Sequence, residues 1–371
     1  MAQDIRIAVI GGVRPQFIKM AALDYEIRKF NQTAPVKIRP IFINTHQHYD
    51  RQLSAEIIEE LGLRIDCELD QPSHDPIHIL GNTIIKLHEY LQPMAETLDW
   101  LVVVGDATTS MVGAIVGARL GLRVLHVEAG VRSNDISVLE EQHRRTVSHL
   151  ASLHFCTSKS AVTNLAREGI TENVYWTGDL THDFFLDHVE TARKTTPLPD
   201  WENYILVTIH KATNFRSPDI LRNLVTTLEN YHRPVVFVTH PKTKKALIDL
   251  DLYNKSSIRF MDSMPYTQMV AVLEGCAFLV TDSGGLQREA SYLRKHCLVR
   301  RETVGWSSLI DAGINRLIGT SEADISDGLA WAEANLLNED AFRHFDEFYK
   351  PNAGQDALQT LVDSTCLTHK R

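Results

Sequence analysis

The sequence predicts an α/β protein made of two doubly wound domains that face each other across a cleft. Short apolar runs rich in β-branched residues alternate with longer segments of helical period, which is typical of βαβ units and parallel sheets. Runs such as Leu101–Val104 contain no polar residue and suit strands that helices cover on both faces. The series stops once, at the turn-rich residues Thr191–Asn203, and then begins again. The length of 371 residues also favours two domains, at roughly 150 residues each.

The predicted strands fall into one set on each side of that interruption. The first set is Ile5–Ile10, Lys37–Asn44, Trp100–Val104, Arg123–Val127, Leu153–Cys156 and Asn173–Trp176. The second set is Tyr204–Leu206, Val235–Val238, Ile258–Phe260, Phe278–Thr281, Cys297–Val299 and Arg316–Ile318. Helices are predicted between them, including Met111–Leu120 with its small residues and an amphipathic helix near Asp356–Thr365. We therefore place a first domain at residues 1–190 and a second at 191–351, with residues 352–371 packing back onto the first.

Composition and charge exclude several classes of protein. The 38 Lys+Arg against 47 Asp+Glu give a net charge of −9, whereas a nucleic-acid-binding surface is basic. No apolar run reaches the ~18–20 residues of a membrane-spanning helix. Asp4 and Arg6 interrupt the place where a signal peptide would have its apolar core. The expectation is a cytoplasmic protein without a nucleic-acid or membrane partner.

The cysteines and histidines do not form a metal or disulfide pattern. The 5 cysteines are scattered and include no C-x-x-C pair, so most are expected to be small buried apolar residues. Residues 45–48, Thr-His-Gln-His, could form half of a metal site, but no H-E-x-x-H motif or cysteine partner stands nearby. No metal site is predicted.

The first predicted strand ends in a glycine pair followed by basic residues. Gly11 and Gly12 allow a tight turn that exposes backbone N–H groups at a helix N-terminus, which attracts anions. Arg14 and Lys19 add positive charge, and a diphosphate is the occupant that these features favour. The alternative is a plain strand-to-helix turn with solvated basic side chains.

Acidic residues follow two apolar strands of the first domain. Asp106 and Glu128 are predicted just beyond strand ends, where a carboxylate is costly unless it is paired or used. Two Glu/Arg pairs with a spacing of four residues follow on a predicted helix: Glu140 with Arg144, and Glu141 with Arg145. One interpretation is a set of carboxylates that act as general acid and base in a cleft. The other, for the helical pairs, is exposed ion pairs that contribute little to stability.

The second domain has a histidine and a Ser-Gly-Gly segment after its strands. His210 could stabilise phosphate charge or transfer a proton near neutral pH. Ser283, Gly284 and Gly285 supply hydroxyl and backbone donors at a predicted helix start, and Glu289 lies about one turn further on, placed to accept two ribose hydroxyls. The alternative is that Ser283 only caps the helix.

Taken in order, these segments resemble the UDP-N-acetylglucosamine 2-epimerase family, which includes 2-epimerases of UDP-diacetamido-glucuronic acids. The matching segments are Arg14–Lys19, Thr45–Asp50, Gly105–Asp106, His126–Ser133 and Thr281–Gly285, with weaker matches at Asn315–Leu317 and Asn352–Gly354. The resemblance implies two Rossmann-like domains in the glycosyltransferase-B arrangement, a UDP-sugar substrate, a homodimer and no cofactor.

The resemblance also implies a reaction and a set of site residues. A carboxylate removes the proton at sugar C2 while UDP leaves C1, which gives a 2-acetamidoglucal; UDP then returns as a proton reaches the opposite face. This inverts C2 of a UDP-N-acetylhexosamine, as between UDP-GlcNAc and UDP-ManNAc.

By matching positions, the acid/base candidates are Asp106, Glu128 and Glu140. The stabilisers of the departing diphosphate are Arg14, Lys19, Arg144 and the catalytic His210. The remaining substrate-binding candidates are Gln47, His48, Ser283, Gly284, Gly285, Glu289 and, on the uracil side, Arg316.

Three segments depart from the family pattern. Val138–Glu141 stands where the family has Pro-Glu-Glu, and Thr213 replaces a carboxylate in the segment after His210. Arg301 and Val304 stand where the family has two acids. These positions could contact the sugar or a regulator, and they point to a specialised member.

Three alternatives stay open: a hydrolysing epimerase that releases UDP and free sugar, a glycosyltransferase, and an inactive nucleotide-sugar sensor.

Overall fold

The computed structural model describes residues 4–47, 51–70, 75–196, 203–343, 349–350 and 352–368. The chain divides into two compact units: unit 1 is Met1–Phe184 with Asp346–Arg371, and unit 2 is Phe185–Phe345. Each unit contains one parallel sheet flanked by helices. The predicted fold class, two Rossmann-like doubly wound α/β domains, is confirmed.

The described residues form the following elements. The strands of unit 1 are β1 (Ile5–Gly11), β2 (Ile38–Asn44), β3 (Cys67–Glu68), β4 (Trp100–Val104), β5 (Val124–Ala129), β6 (Leu153–Cys156) and β7 (Val174–Trp176). Those of unit 2 are β8 (Ile205–Ile209), β9 (Val235–Thr239), β10 (Ile258–Asp262), β11 (Phe278–Thr281), β12 (Cys297–Val299) and β13 (Asn315–Leu317). The first helices are α1 (Arg14–Thr33), α2 (Arg51–Glu60), α3 (Pro76–Leu91), α4 (Thr108–Arg119), α5 (Leu139–Leu150), α6 (Lys159–Arg167) and α7 (Thr181–Thr195). The later helices are α8 (Pro218–Glu229), α9 (Pro241–Asp249), α10 (Tyr266–Gly275), α11 (Gly284–Tyr292), α12 (Ser307–Asp311), α13 (Glu322–Ala334), α14 (Asp340–Arg343) and α15 (Ala353–Thr368).

The sheet of unit 1 has the order β3-β2-β1-β4-β5-β6-β7, and its paired strands are parallel. β1 and β4 are neighbours, with Ile10 opposite Val103, although β2 and β3 lie between them in the chain. The strand order therefore reverses between β1 and β4, and the loops that follow these two strands leave in opposite directions. Such a switch point is where doubly wound sheets bind ligands.

The sheet of unit 2 repeats this topology with the order β10-β9-β8-β11-β12-β13. β8 pairs with both β9 and β11, and Thr208 lies opposite Thr281 at the carboxyl end of the β8–β11 pair. All residues of β8, β9 and β11 are buried, since their sequences contain only apolar residues and threonine. The second switch point lies between β8 and β11.

The last helix belongs to unit 1. Trp100 Nε1 in β4 donates to Thr365 Oγ1 in α15 at 2.8 Å, and Gln355 Nε2 donates to Glu26 Oε2 in α1 at 3.0 Å. A Cβ at Gly354 would lie 2.0 Å from Glu26 Oε2, so glycine is needed for this close approach. The weakly matching Asn352–Gly354 segment thus has a packing explanation.

Most predicted strands lie within one or two residues of the observed ones, but three details differ. The two-residue β3 was not predicted, because two residues carry no periodicity. The beginning of the predicted linker, residues 191–195, belongs to α7, and residues 197–202 are outside the described part. Both the unit boundary after Phe184 and the predicted boundary after residue 190 fall inside α7. Among the described residues, no helix has the length and apolar character needed to cross a membrane.

Candidate functional site

The loop after β1 is held by the side chain of Gln16. Its amide oxygen accepts from the Gly12 N–H at 2.9 Å, and its amide nitrogen donates to Val104 O and Ser110 Oγ, both at 3.0 Å. Gln16 is 2% exposed, so these bonds form away from solvent. A Cβ at Gly12 would lie 2.1 Å from Thr45 Oγ1, so glycine is required at this crowded point. The ends of β1 and β4 are thereby joined at the first switch point.

Lys19 and Glu128 form an ion pair at this edge of the sheet. Lys19 Nζ lies 2.7 Å from Glu128 Oε2, and the two side chains are 11% and 8% exposed. A Cβ at Gly105 would lie 2.5 Å from Lys19 Nζ, which places the ammonium group against the backbone just before Asp106. The structure therefore brings one predicted cation together with two predicted carboxylates.

Glu128 has an uncommon backbone conformation. Its φ is +70°, in the left-handed region that costs free energy for a residue with a Cβ. The register of β5 against β6 shifts between Val127 and Ala129, so a β-bulge accommodates Glu128. The prediction that Glu128 follows its strand is corrected, because β5 continues to Ala129. Strain of this kind supports a functional hypothesis for the residue that carries it.

Asp106 follows β4 and is bound by Arg144 from α5. Arg144 Nε and Nη2 lie 2.9 and 2.5 Å from Asp106 Oδ2. Burial alone would raise the pKa of Asp106, but the charges of Arg144 and Lys19 outweigh this effect and lower the pKa to about 2. Asp106 is therefore ionised at neutral pH, and its side chain is 30% exposed. It can accept a proton, although weakly while Arg144 holds it.

Glu141 anchors Arg144 from the other side. Its carboxylate is 0% exposed and accepts from the Ser133 N–H at 2.9 Å and from Arg144 Nη1 at 3.2 Å. Arg145 Nε also donates to it, at 3.3 Å. The interpretation of exposed ion pairs is thus wrong for Glu141, while Glu140 is half-buried in the same helical turn. Sequence spacing indicated that Glu141 could pair, but spacing cannot show that it is buried.

Two histidines fix the backbone around Asp106, and neither had a predicted role. His143 Nδ1–H donates to Asp106 O at 2.9 Å, and His126 Nε2–H donates to Gly105 O at 3.0 Å. Burial lowers the pKa of His126 to about 3, so its ring is neutral. The two rings therefore position Asp106, and the His126 ring does so without adding a competing charge.

In unit 2, Asp282 binds His210 at the second switch point. His210 Nδ1 lies 2.7 Å from Asp282 Oδ1, and Asp282 also accepts from the backbone N–H groups of His210 and Lys211 and from Asn214 Nδ2. Burial would raise the pKa of Asp282, but these hydrogen bonds and the His210 charge lower it. Asp282 is 0% exposed, whereas the His210 ring is 41% exposed. Asp282 lies in one of the matching segments, but no role was predicted for it from the sequence. Its pairing with His210 could not be predicted, because the two residues are distant in sequence.

Ser283 begins α11 beside that pair. Its Oγ accepts from the Leu286 N–H at 3.5 Å, so the predicted cap bond is present but long. A Cβ at Gly284 would lie 3.6 Å from Trp306 Nε1 and 3.8 Å from Arg301 Nη1, so nitrogen donors surround the helix start. The N-terminus of α11, with these donors, is suited to an anion.

Glu289 lies further along α11 and accepts from the Tyr266 hydroxyl at 3.0 Å. Burial and the neighbouring Glu289 charge raise the pKa of Tyr266 well above its usual value, so Tyr266 stays protonated and donates. This bond gives Glu289 a fixed orientation.

The other predicted residues are more dispersed. Arg14 is the first residue of α1 and is half-buried. Gln47 Oε1 accepts from the Thr109 N–H at 3.0 Å and from its hydroxyl at 2.8 Å, so it anchors the start of α4. Arg316 lies on the edge strand β13, with its guanidinium carbon 5.9 Å from the Trp331 ring centroid. His48 lies outside the described residues.

Two doubly wound sheets, each with charged groups at its switch point, define a class of α/β enzymes that hold a nucleotide at the carboxyl edge of the strands. A family model described as UDP-N-acetylglucosamine 2-epimerase matches residues 31–362, and the chain belongs to that family. The predicted family and the predicted epimerase class are confirmed.

Three similar proteins illustrate the match. A UDP-N-acetylglucosamine 2-epimerase of Methanococcus maripaludis is 30% identical over 339 residues, which cover 86% of this chain and 89% of that protein. A UDP-2,3-diacetamido-2,3-dideoxy-D-glucuronate 2-epimerase of Pseudomonas aeruginosa is 28% identical over 343 residues, 91% of this chain and 94% of that protein. The crystal structure of Methanocaldococcus jannaschii UDP-GlcNAc 2-epimerase in complex with UDP-GlcNAc and UDP superimposes with a TM-score of 0.82 at 26% identity, covering 96% of this chain and 99% of that one.

Proposed function

We propose that this chain inverts C2 of a UDP-N-acetylhexosamine, in the manner of UDP-GlcNAc to UDP-ManNAc. A carboxylate takes the C2 proton, the C2–H electron pair becomes the C1=C2 double bond, and the C1–O bond breaks as UDP leaves with its electron pair. Re-addition of UDP to C1 and of a proton to the opposite face of C2 completes the inversion. The names of the similar proteins support this reaction, and the charged groups of both units have the chemistry it needs.

The observation that carries the proposal is the pairing of two carboxylates with two cations at the first switch point. Asp106 is ionised but weakly basic while Arg144 holds it. A diphosphate that attracts Arg144 and Lys19 would release Asp106 and Glu128 from their partners, and the proton affinity of both would rise. In this proposal Asp106 is the first choice for the base that acts at C2, because it follows a buried strand directly. Glu128 is the second choice and Glu140 the third.

The groups of unit 2 suit the UDP part of the substrate. The N-terminus of α11, at Ser283, Gly284 and Gly285, would bind the diphosphate. Glu289 would accept ribose hydroxyls, and the exposed His210 ring would donate to the departing phosphate oxygen. The edge-strand residue Arg316 is kept as a uracil-side contact, and Arg14, Gln47 and His48 as further substrate contacts.

The decisive experiment incubates the protein with UDP-GlcNAc in deuterated water and follows the sugar by proton NMR. We expect loss of the C2 proton signal and the appearance of a second UDP-sugar with the inverted configuration. A UDP-2,3-diacetamido-uronic acid is the second substrate to test. Free sugar and UDP in stoichiometric amounts would instead identify the hydrolysing reaction. No exchange with either substrate would reject the epimerase proposal.

A homodimer and a cytoplasmic location are part of the proposal because the family resemblance implies the first and the sequence predicts the second. Light scattering of the purified chain would test the dimer: a mass of about 84 kDa is expected, twice the 41.9 kDa of one chain.

A further inference from the structure

Arg300 is a buried cation that the proposed reaction does not use. It follows β12 and is 2% exposed. Its Nη1 donates to Gly319 O at 3.2 Å, whereas Nε and Nη2 have no hydrogen-bond partner within the described part of the chain. Burial lowers the pKa of Arg300 to about 10, so the group is charged at neutral pH. A buried charge with so few hydrogen bonds needs an electrostatic partner.

Asp282 is the stronger of two such partners, and Asp324 is the other. Asp282 and Arg300 each follow a strand end, and those ends, Thr281 and Val299, lie opposite each other in the β11–β12 pair. Asn214 Nδ2 donates to Asp282 Oδ2 at 2.8 Å and to the backbone oxygen of Arg300 at 3.0 Å, so a single amide links the Asp282 carboxylate to the Arg300 backbone. The attraction between Asp282 and Arg300 opposes the lowering of the Arg300 pKa.

We propose that Arg300 is a positioning residue that sets the proton affinity of His210 through Asp282. Asp282 carries a negative charge with no access to solvent, and it forms an ion pair with His210, with Nδ1 at 2.7 Å. If Asp282 had no other counter-charge, His210 would gain its proton more readily, since an adjacent anion favours the imidazolium. Arg300 supplies a second counter-charge to Asp282, so in this proposal the imidazolium of His210 is favoured less than it would be beside Asp282 alone.

Other charged or titratable groups also lie at this edge of the sheet and must be held constant. They are Lys211 after β8, His240 after β9, Arg301 after β12, and Asp324 in the first turn of α13. Asp324 attracts Arg300 as well and accepts from the Ser321 hydroxyl at 2.6 Å. These groups are unchanged in the variants below, so a change in His210 would arise from Arg300.

The test is the titration of His210 in the full chain without substrate. Histidine labelled with carbon-13 at Cε1 gives one resonance for each of the 17 histidines, and a His210→Gln spectrum identifies the resonance of His210. We expect Arg300→Met to raise the His210 midpoint by on the order of one pH unit, because a positive charge is lost near the imidazolium. Arg300→Lys keeps the charge and should restore the wild-type midpoint. The control is Arg222→Met on α8, where the arginine is 53% exposed and its removal should leave the midpoint unchanged.

An unchanged midpoint in folded Arg300→Met would overturn the proposal, as would a shift that Arg300→Lys does not reverse. If Arg300→Met fails to fold, the double variant Arg300→Met/Asp282→Asn decides. It removes both charges together, so we expect it to fold and to show the cooperative thermal transition that Arg300→Met lacks. A double variant as unstable as Arg300→Met would show that Arg300 acts by packing alone. The inference rests on the proposed role of His210. The titration of His210 is measured without substrate, so its outcome can be read even if the chain proves inactive as an epimerase.

Discussion

The two switch points solve the same problem, a carboxylate at the end of a buried strand, in different ways. In unit 1, Asp106 and Glu128 are held by the long cationic side chains of Arg144 and Lys19. In unit 2, Asp282 is held by two backbone N–H groups, an amide and an imidazole. Side-chain cations can transfer to an incoming anion, whereas backbone donors cannot move. The first arrangement therefore suits carboxylates that react, and the second suits a carboxylate that orients another group.

The largest expected effect comes from removing the charge of Asp106. Asp106→Asn keeps the shape but cannot take a proton, so C2 exchange with deuterated solvent should fall by about 10²–10⁴-fold. UDP should still raise the melting temperature of the variant. Asp363→Asn, an exposed position on α15 of the same unit, serves as the control for loss of an aspartate. Exchange at the wild-type rate in Asp106→Asn would move the role of base to Glu128 or Glu140.

The second-largest expected effect comes from removing the exposed imidazole of His210 in unit 2. His210→Gln removes the proposed donor to the leaving phosphate and should lower turnover by on the order of 10²–10³-fold. His232→Gln is the matched control, because His232 is 64% exposed and pairs with Glu333 in the same unit. Steady-state rates with a coupled assay would measure both. Equal rates in the two variants would remove His210 from the mechanism.

A third prediction concerns the anion site at the start of α11. Ser283→Asp sets a negative charge against the proposed diphosphate, so the UDP-induced rise in melting temperature should disappear. In the wild type, UDP at 100 times its dissociation constant should add about 2.7 kcal/mol to the free energy of unfolding. Ser326→Asp places the same charge on an exposed position of α13 and should leave the UDP response intact. A full UDP response in Ser283→Asp would place the diphosphate elsewhere.

The smallest expected effect is on stability in acid. The pKa of Asp106 is lowered from 3.8 to about 2, so its ion pairs stabilise the folded state above about pH 4 and this contribution is lost as the pH falls towards 2. Between pH 5 and pH 2, the free energy of unfolding should therefore fall by about 1–2 kcal/mol more in the wild type than in Asp106→Asn. The melting temperature of the wild type should fall further as well. Calorimetry at several pH values would measure the difference. Parallel pH profiles would mean that Arg144 does not stabilise the ionised form of Asp106.

Local patterns in the sequence predicted the fold almost completely. Apolar runs located the strands of both sheets, except β3, because a strand buried on both faces must be apolar throughout. The same argument placed Asp106 and His210 near the carboxyl edge of a sheet, since polar residues shortly after such a run lie there. The strand before His210 extends to Ile209, three residues beyond its predicted end. The Ser-Gly-Gly segment likewise predicted the start of α11.

The tertiary structure alone decided which of these residues are partners. Lys19 meets Glu128, Arg144 meets Asp106, and Asp282 meets His210 only because neighbouring strands bring distant segments to one edge. Burial could not be predicted from the sequence either. Glu141 and Arg300 are residue types that usually lie on the surface, but here both are buried. Glu141 anchors Arg144, and Arg300 is a counter-charge for Asp282. Periodicity in a sequence reports the face that each element buries, whereas contacts between elements depend on strand order, which no local pattern encodes.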